Sequence, residues 1–383
     1  MKCSYSFRFN TDNIRLSFCA YLSFESVFMV PFHPSFILKN KHLQTVYATL
    51  FRKPLLLDTQ REVFELEDGD FVDCHWLEKP EANNTKPIVI LFHGLAGCYR
   101  SPYIEGAMQA LRKGGYIPVI MNFRGCSGRD NKRAKTYHSG ATSDAKAWIE
   151  HLKVSFPDSP LFAIGYSLGG NMLLKLLGEY GHAGSTSPLT AAISISAPMQ
   201  LDDSAEAIQT SFFGIYERHL LRLLKRTLIK KYQQHDMESL LGKTPKEIQT
   251  LKTIREFDDV YTAKVNGFDG VQGYYNKSSA KQYLPHIKTN TLVIHALDDP
   301  FMTPKILPQA CLDQWHKNIT ASASLNMISS NRALENEISP KVQLEIHKNG
   351  GHVGFVTGSL FKPVYYLEKR MLTYFDEFKS ITE

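Results

Sequence analysis

Residues 165–169, Gly-Tyr-Ser-Leu-Gly, constrain the fold of this chain more than any other segment. Residues 161–164 before them are an apolar run typical of a buried strand, and residues 170–177 after them have the composition of a helix. The glycines allow a sharp strand-to-helix turn, because a Cβ there would collide with the neighbouring strand and helix. The pattern predicts that Ser167 is an exposed nucleophile at a helix N-terminus, where the helix dipole stabilises negative charge. The alternative is a turn that only leads into a core helix.

Predicted strands and helices alternate from residue 61 onward. Residues 61–67 and 71–77 alternate apolar and polar side chains around Asp68-Gly69, which predicts a hairpin. Apolar runs predict strands at 87–92, 116–122, 161–166, 191–196, 291–295 and 342–347, and helical spacing predicts helices at 103–113, 143–154 and 364–378. A hairpin followed by strand-helix units predicts an α/β fold with a mostly parallel central sheet flanked by helices. Ligands of such sheets bind at the carboxyl ends of the strands.

A serine hydroxyl needs a base within hydrogen-bond reach, and the base needs a carboxylate that orients it. With a strand-to-helix serine turn, the acid and then the histidine follow in the chain. His352 comes after the last predicted strand of the sheet, in a glycine-rich segment, and is the predicted base. Asp298 and Asp299 both follow the strand at 291–295. Asp299 is preferred because it opens an Asp-Pro-Phe-Met loop of the kind that carries this acid in many such enzymes, and Asp298 remains the alternative.

The negative charge of a tetrahedral intermediate needs preorganised hydrogen-bond donors. Residues 93–97, His-Gly-Leu-Ala-Gly, follow the strand at 87–92. We predict an oxyanion hole made by the backbone N–H groups of Leu95 and of Leu168, the residue after the nucleophile. His93 is expected to brace this loop rather than to act as a second base.

Two segments interrupt the alternation. Residues of about 200–285 have helical patterns, and we predict that they form a helical lid insertion above the strand ends. Within them, Arg218, Arg222, Lys225 and Arg226 can share one face of a helix. This face is either solvated, which we favour, or in weak contact with a membrane surface. The second segment, residues 318–338, is polar and predicts an extended loop or a short helix.

The composition is that of an ordinary globular protein, with 43% hydrophobic and 21% charged residues. The net charge of +6 is small and scattered, so we expect no nucleic-acid partner. The six cysteines are dispersed and lack metal-ligand spacing. This predicts free thiols in a reducing compartment, hence a cytoplasmic location, and no metal site. The sequence does not indicate an oligomeric state.

Residues 1–30 are predicted to be an N-terminal extension ahead of a single domain at 31–383. Residues 16–30 are apolar and follow basic residues, but Glu25 interrupts them and no clean cleavage site follows. The run is also shorter than the ~20 residues that a membrane span requires. A soluble extension is therefore preferred over an export or membrane role.

The chain resembles the YheT-like branch of the α/β-hydrolases, a group of candidate bacterial esterases. Eukaryotic relatives of this branch include membrane-anchored hydrolase-domain proteins and yeast medium-chain ester synthases. The resemblance is carried by short motifs spread from residue 31 to the C-terminus: 31–36 (PFHPSF), 42–45 (HLQT), 93–95 (HGL), 122–128 (NFRGCSG), 137–140 (YHSG), 165–171 (GYSLGGN), 257–259 (FDD), 273–275 (GYY), 298–301 (DDPF) and 351–354 (GHVG).

This resemblance implies hydrolysis of carboxylic esters without a metal or an organic cofactor, by Ser167, one aspartate of the pair and His352. It also implies that Arg124, Tyr137 and His138 shape the rim of the pocket. The segment at 318–338 and residues 1–30 depart from the family pattern. Neither segment contains a residue of the predicted triad, so these departures affect the prediction of the substrate more than the prediction of the reaction.

We therefore predict a serine esterase that cleaves small-molecule esters of short- to medium-chain acyl groups through an acyl-enzyme. Acyl transfer to an alcohol shares that intermediate and is the alternative. No histidine is followed five positions later by aspartate, so the His-x4-Asp acyltransferase motif is absent. A non-catalytic binding protein with this fold is disfavoured, because all three triad positions are filled.

Overall fold

This computed structural model describes residues 32–318, 325–329 and 336–379. The centre of the described part is a nine-stranded sheet. The strands are β1 (Gln60–Glu65), β2 (Phe71–Trp76), β3 (Ile88–Phe92), β4 (Ile117–Met121), β5 (Leu161–Tyr166), β6 (Ala191–Ile195), β7 (Asn290–Ala296), β8 (Leu325–Ser329) and β9 (Val342–His347). Their order is β1-β2-β4-β3-β5-β6-β7-β9-β8. Within this order, the six strands β4, β3, β5, β6, β7 and β9 pair in parallel. Strand β2 is antiparallel to both β1 and β4, and β8 is antiparallel to β9. This confirms the predicted α/β-hydrolase fold. The prediction for residues 1–30 lies outside the described residues.

Helices cover both faces of the sheet, and a short hairpin of β10 (Val356–Gly358) and β11 (Pro363–Tyr365) lies apart from it. The helices are α1 (Lys41–Phe51), α2 (Pro102–Lys113), α3 (Ser143–Ser155), α4 (Leu168–His182), α5 (Leu201–Thr210), α6 (Ile215–Tyr232), α7 (Met237–Leu241), α8 (Pro245–Thr250), α9 (Ile254–Phe257), α10 (Gly270–Ser278), α11 (Gln309–Asn318) and α12 (Tyr366–Asp376). A π-helical turn (Asp258–Ala263) continues α9, and the 3-10 turns are Ile37–Lys39, Ser211–Gly214, Ala280–His286 and Pro304–Ile306. In the ranges described, no helix combines the length and apolar character that a membrane span needs.

The central strands are apolar throughout because both of their sides are covered. In β3, Ile88, Ile90 and Phe92 belong to the core on one face of the sheet, and Val89 and Leu91 belong to the core on the other face. All five side chains are completely buried. A strand buried on both faces favours a continuous apolar run, which explains why these strands are predictable from the sequence.

Helices α5 to α10 all lie between β6 and β7, which confirms that the segment at 200–285 is helical. The prediction for residues 318–338 is wrong where the structure describes them. Leu325–Ser329 forms strand β8, which pairs with β9 at the edge of the sheet. An edge strand draws its order from the backbone hydrogen bonds of its neighbour, so a run of five residues with three apolar side chains can form one inside a segment that is polar as a whole.

Substituting Gly169 tests how closely α4 approaches β3. A Cβ at Gly169 would lie 2.6 Å from the backbone carbonyl oxygens of Phe92 and His93, which cannot move without distorting the sheet. We expect Gly169→Ala to lower the free energy of unfolding by at least about 2 kcal/mol in urea denaturation. Gly273→Ala in α10 is the control, because its Cβ would meet nothing closer than 3.6 Å. Equal urea midpoints for the two variants would contradict the close packing.

Candidate active site

Ser167 lies at the junction of β5 and α4 in a conformation that few side chains adopt. Its backbone has φ 51° and ψ −118°, and such a conformation costs of order 1–3 kcal/mol unless the surroundings impose it. The Ser167 N–H donates to the Ile195 carbonyl oxygen at 2.8 Å, and the Ser167 carbonyl oxygen accepts from the Asn171 N–H at 3.0 Å. The turn is therefore fixed by β6 on one side and by α4 on the other. A strained serine held in this way is typical of a nucleophile at a strand-to-helix turn.

His352 lies on the loop after β9, and its ring reaches the serine. His352 Nε2 is 2.9 Å from Ser167 Oγ. The His352 backbone N–H donates to Thr45 Oγ1 at 3.0 Å, and the Phe301 ring stacks on the imidazole with the centroids 4.2 Å apart. The base is thus held by α1 and by the loop after β7 as well as by its own loop.

The two adjacent aspartates point to different partners. Asp299 Oδ2 is 2.8 Å from His352 Nδ1, and Asp299 Oδ1 accepts from the Phe301 N–H at 2.8 Å. Asp298 instead accepts from the Gly351 N–H at 2.9 Å and from Asn349 Nδ2 at 3.2 Å. The structure therefore brings Asp299 to the imidazole, while Asp298 holds the loop that carries the imidazole.

This arrangement can activate the serine hydroxyl. With Nδ1–H donated to the buried Asp299 carboxylate, His352 Nε2 is free to accept the proton of the Ser167 hydroxyl. The Asp299 side chain is inaccessible to solvent, and the His352 side chain is 10% exposed. Solvent can therefore reach His352, but not the carboxylate of Asp299.

The two residues predicted to donate to the oxyanion both lie close to Ser167. Leu168 begins α4, and Leu95 follows Gly94, where an added Cβ would lie 3.2 Å from Ser167 Cβ. Both leucines line the same cavity as Ser167 and His352. Neither backbone N–H has a hydrogen-bond partner among the described residues. The two groups are thus available to bind a developing oxyanion.

His93 braces the loop that carries Leu95. Its Nδ1 is 2.8 Å from the Gly94 carbonyl oxygen, and its Nε2 accepts from the Phe123 N–H at 3.1 Å. Burial lowers the pKa of His93 to about 4, so the ring stays neutral at pH 7. Tyr137 adds a second brace, because its hydroxyl accepts from the Ala96 N–H at 2.8 Å.

Of the residues expected at the pocket rim, Tyr137 and His138 line the cavity and Arg124 does not. Arg124 is buried, and its guanidinium forms a two-pronged ion pair with Asp144 on α3 at 2.7 and 2.8 Å. It also contacts Asp68 at 2.8 Å and Asp70 at 3.2 Å at the turn between β1 and β2. Three carboxylates hold this side chain away from the cavity, so its role is to join the hairpin to α3.

The cavity above Ser167 has a volume of about 960 Å³. The helical insertion supplies much of its apolar wall, including Leu201, Ile208, Leu220, Leu224, Ile254 and Phe257. Helix α1 contributes Val46 and Leu50 on another side. A concave, mainly apolar space that also holds polar side chains is typical of a small-molecule site.

Asp258 adds a carboxyl group to this wall, and the sequence marks it only as part of a family motif. It lies in the π-helical turn and lines the cavity. Its carboxylate accepts from the hydroxyls of Thr262 at 2.7 Å and Tyr275 at 2.9 Å. An isolated Phe-Asp-Asp sequence gives no sign that the first aspartate is enclosed, because the π-turn alone determines which carboxyl points inward.

No cluster of histidine, cysteine, aspartate and glutamate in the described ranges could hold a metal ion.

Comparison with known proteins places this arrangement in a family. The model of the α/β-hydrolase fold family matches residues 87–358. The candidate esterase YheT of Escherichia coli (strain K12) is 37% identical over 344 residues, which are 89% of this chain and 92% of that protein. The medium-chain fatty acid ethyl ester synthase/esterase 2 of Saccharomyces cerevisiae is 30% identical over 57% of this chain and 52% of its own. The phospholipase ABHD3 of Mus musculus is 25% identical over 81% of this chain and 69% of its own.

The resemblance to YheT-like proteins that the motifs indicate is thereby confirmed, since the match to YheT spans nearly the whole of both chains. The family model likewise covers β3 to β10, a range that includes Leu95, Ser167 and His352. The chain belongs to the α/β-hydrolase family.

Proposed function

We propose that this protein is a serine esterase that hydrolyses carboxylic esters through an acyl-enzyme. The observation that carries the proposal is the hydrogen-bonded series Ser167–His352–Asp299 at the floor of an apolar cavity. The names of the relatives, an esterase, a fatty acid ethyl ester synthase/esterase and a phospholipase, support ester chemistry.

The proposed mechanism follows from the positions of these groups. Ser167 Oγ attacks the carbonyl carbon of the ester, and His352 Nε2 accepts the hydroxyl proton. The carbonyl oxygen becomes an oxyanion that the N–H groups of Leu95 and Leu168 bind. His352 then gives the proton to the departing alcohol, which leaves the acyl group on Ser167. Water, deprotonated by His352, then attacks the acyl carbon, the bond from that carbon to Ser167 Oγ breaks, and His352 returns the proton to Ser167 as the acid is released.

The substrate is proposed to be an ester with a short- to medium-chain acyl group. The wall formed by Ile208, Leu224 and Phe257 offers an apolar surface to an acyl chain. A volume of about 960 Å³ accommodates both the acyl and the alcohol parts. Since α5, α6 and α9 supply this wall, the helical insertion acts as the lid that sets which chains fit.

Acyl transfer to an alcohol is the second candidate, favoured by the yeast relative whose name includes ester synthesis. The same acyl-enzyme serves both reactions, and the two differ only in whether water or an alcohol releases the acyl group. Product analysis in water containing ethanol distinguishes them, because only transfer yields ethyl ester in excess over the free acid.

Replacing the nucleophile gives the strongest test of the proposal. Ser167→Ala removes the atom that forms the acyl-enzyme, so we expect kcat to fall roughly a million-fold. The measurement is hydrolysis of p-nitrophenyl esters of graded acyl length, with Ser204→Ala, a second serine of the cavity wall, as the control. A Ser167→Ala variant that retains most of its turnover would exclude the proposed nucleophile.

The aspartate pair tests the assignment of the acid. Asp299→Asn leaves the shape of the site but cannot stabilise the imidazolium, so we expect a loss of about 10⁴-fold in kcat. Asp298→Asn keeps an oxygen that accepts from the Gly351 N–H, and its loss should stay below about tenfold. The opposite ranking of the two variants in the same assay would transfer the role to Asp298.

Asp258 should make the stability of the protein depend on pH. Burial raises the pKa of its carboxyl from 3.8 to about 6, against the opposing hydrogen bonds from Thr262 and Tyr275. The folded state therefore holds this proton more tightly than the unfolded chain. The stabilisation is complete below about pH 4 and is lost as the pH rises through about 6.

Replacing this carboxyl by an amide should remove the effect. Relative to Asp258→Asn, we expect the free energy of unfolding of the wild type to fall by about 2 kcal/mol between pH 4 and pH 7. Urea denaturation across this range measures it, and Asp259→Asn, at the exposed neighbouring position, is the control. Parallel pH profiles for wild type and Asp258→Asn would show that the carboxyl is not enclosed as described.

A further inference from the structure

Two consecutive phenylalanines next to the cavity have strained backbone conformations. Phe212 (φ 47°, ψ 49°) and Phe213 (φ 56°, ψ 29°) lie in the 3-10 turn Ser211–Gly214 that joins α5 to α6, and both have left-handed conformations. Residues with a Cβ avoid this region, so the turn costs free energy. The turn also leaves the Phe213 side chain 87% exposed, and exposing an aromatic ring to water adds a further unfavourable free energy.

Neighbouring side chains fix the turn in place. The Phe212 ring stacks on His42 of α1 with the centroids 4.4 Å apart and lies 5.6 Å from the Tyr216 ring. The Arg218 guanidinium donates to the Phe213 carbonyl oxygen at 2.9 Å. The exposure of Phe213 is thus built into the structure.

The turn lies at the mouth of the cavity. Leu50, Phe212 and Ile215 line the cavity and are also 65%, 40% and 44% exposed. The opening is therefore bordered by apolar side chains that face water. A border of this kind marks a surface that contacts something apolar.

Helix α6 places cations beside this border. Arg218, Arg222 and Arg226 are exposed at intervals of four residues, which puts them along one side of the helix. Within the described ranges, none of the three forms an ion pair with a carboxylate. Lys225 does not extend this row, because it is only partly exposed and its ammonium donates to the Gln249 and Leu251 carbonyl oxygens. The exposed part of α6 therefore carries unpaired positive charge next to Phe213.

We propose that Phe213 and the arginine row of α6 dock the protein on an anionic lipid bilayer, with the mouth of the cavity against the lipid. Apolar side chains that insert below the headgroups, flanked by arginines that contact anionic headgroups, form the usual interfacial arrangement. The unpaired cations favour a lipid surface of opposite charge over a second copy of this chain, which would bring like charges together. Docking itself does not depend on the chemistry at Ser167. The transfer of a lipid ester from the bilayer into the cavity rests on the proposed function.

Binding is measured without turnover by using the full chain with Ser167→Ala. Sedimentation with vesicles of phosphatidylcholine and phosphatidylglycerol at a ratio of about 3:1 gives the partition coefficient, and pure phosphatidylcholine vesicles show the part that charge contributes. We expect binding to the mixed vesicles that weakens as salt is added. Phe213→Ser should weaken it roughly tenfold, and Arg222→Gln about fivefold on the anionic vesicles only.

Matched controls are exposed residues far from this border. Val154→Ser replaces an apolar side chain on α3 that is 81% exposed, and Arg112→Gln removes an exposed charge at the end of α2. Both should bind vesicles like the parent. With Ser167 restored, Phe213→Ser and Arg222→Gln should hydrolyse soluble p-nitrophenyl butyrate within about twofold of wild type. This separates loss of docking from loss of the catalytic site.

Three results would overturn the proposal. The first is equal binding of the Phe213→Ser variant and its parent to the mixed vesicles. The second is no preference of the parent for anionic over neutral vesicles at low salt. The third is a dimer in sedimentation velocity that Phe213→Ser dissociates, which would assign this border to contact between copies of the chain.

Discussion

The left-handed backbone at Ser167 is the constraint on which the rest of the site depends. It exists because β5 and α4 meet with only glycine at the points of closest approach, so that α4 packs directly on the carbonyl groups after β3. The same proximity brings Leu95 and Leu168 to the cavity that Ser167 lines. Once this turn is formed, the loops after the neighbouring strands β7 and β9 need only place Asp299 and His352 beside it.

Much of the fold and of the candidate site follows from the sequence alone. The parallel strands are predictable because burial on both faces leaves them continuously apolar, as in β3. Ser167 and His352 are predictable because glycines mark the sharp turns that present them. The choice between Asp298 and Asp299 is not fixed in this way, because the direction of adjacent side chains depends on the shape of one turn.

Other features depend on distant partners and leave no local pattern. Strand β8 exists through its pairing with β9. Arg124 looks like a rim residue until the carboxylates of Asp68, Asp70 and Asp144 are seen around it. Asp258 gains its environment from a π-turn and two hydroxyls. Sequence reasoning identifies residue types and order well, but it cannot identify a contact made by segments that are far apart in the chain.

The pair Asp298 and Asp299 has a consequence for how this site can change. Strands β7 and β9 are neighbours, and the two aspartates after β7 hold both the imidazole of His352 and the backbone of Gly351 after β9. The loop after β7 and the loop after β9 are therefore linked by two separate contacts, one from each aspartate. An insertion or a loop exchange after β7 would therefore displace the loop after β9, and the reverse also holds. Variation in substrate specificity should accumulate instead in α5 to α10, which can change without displacing either loop.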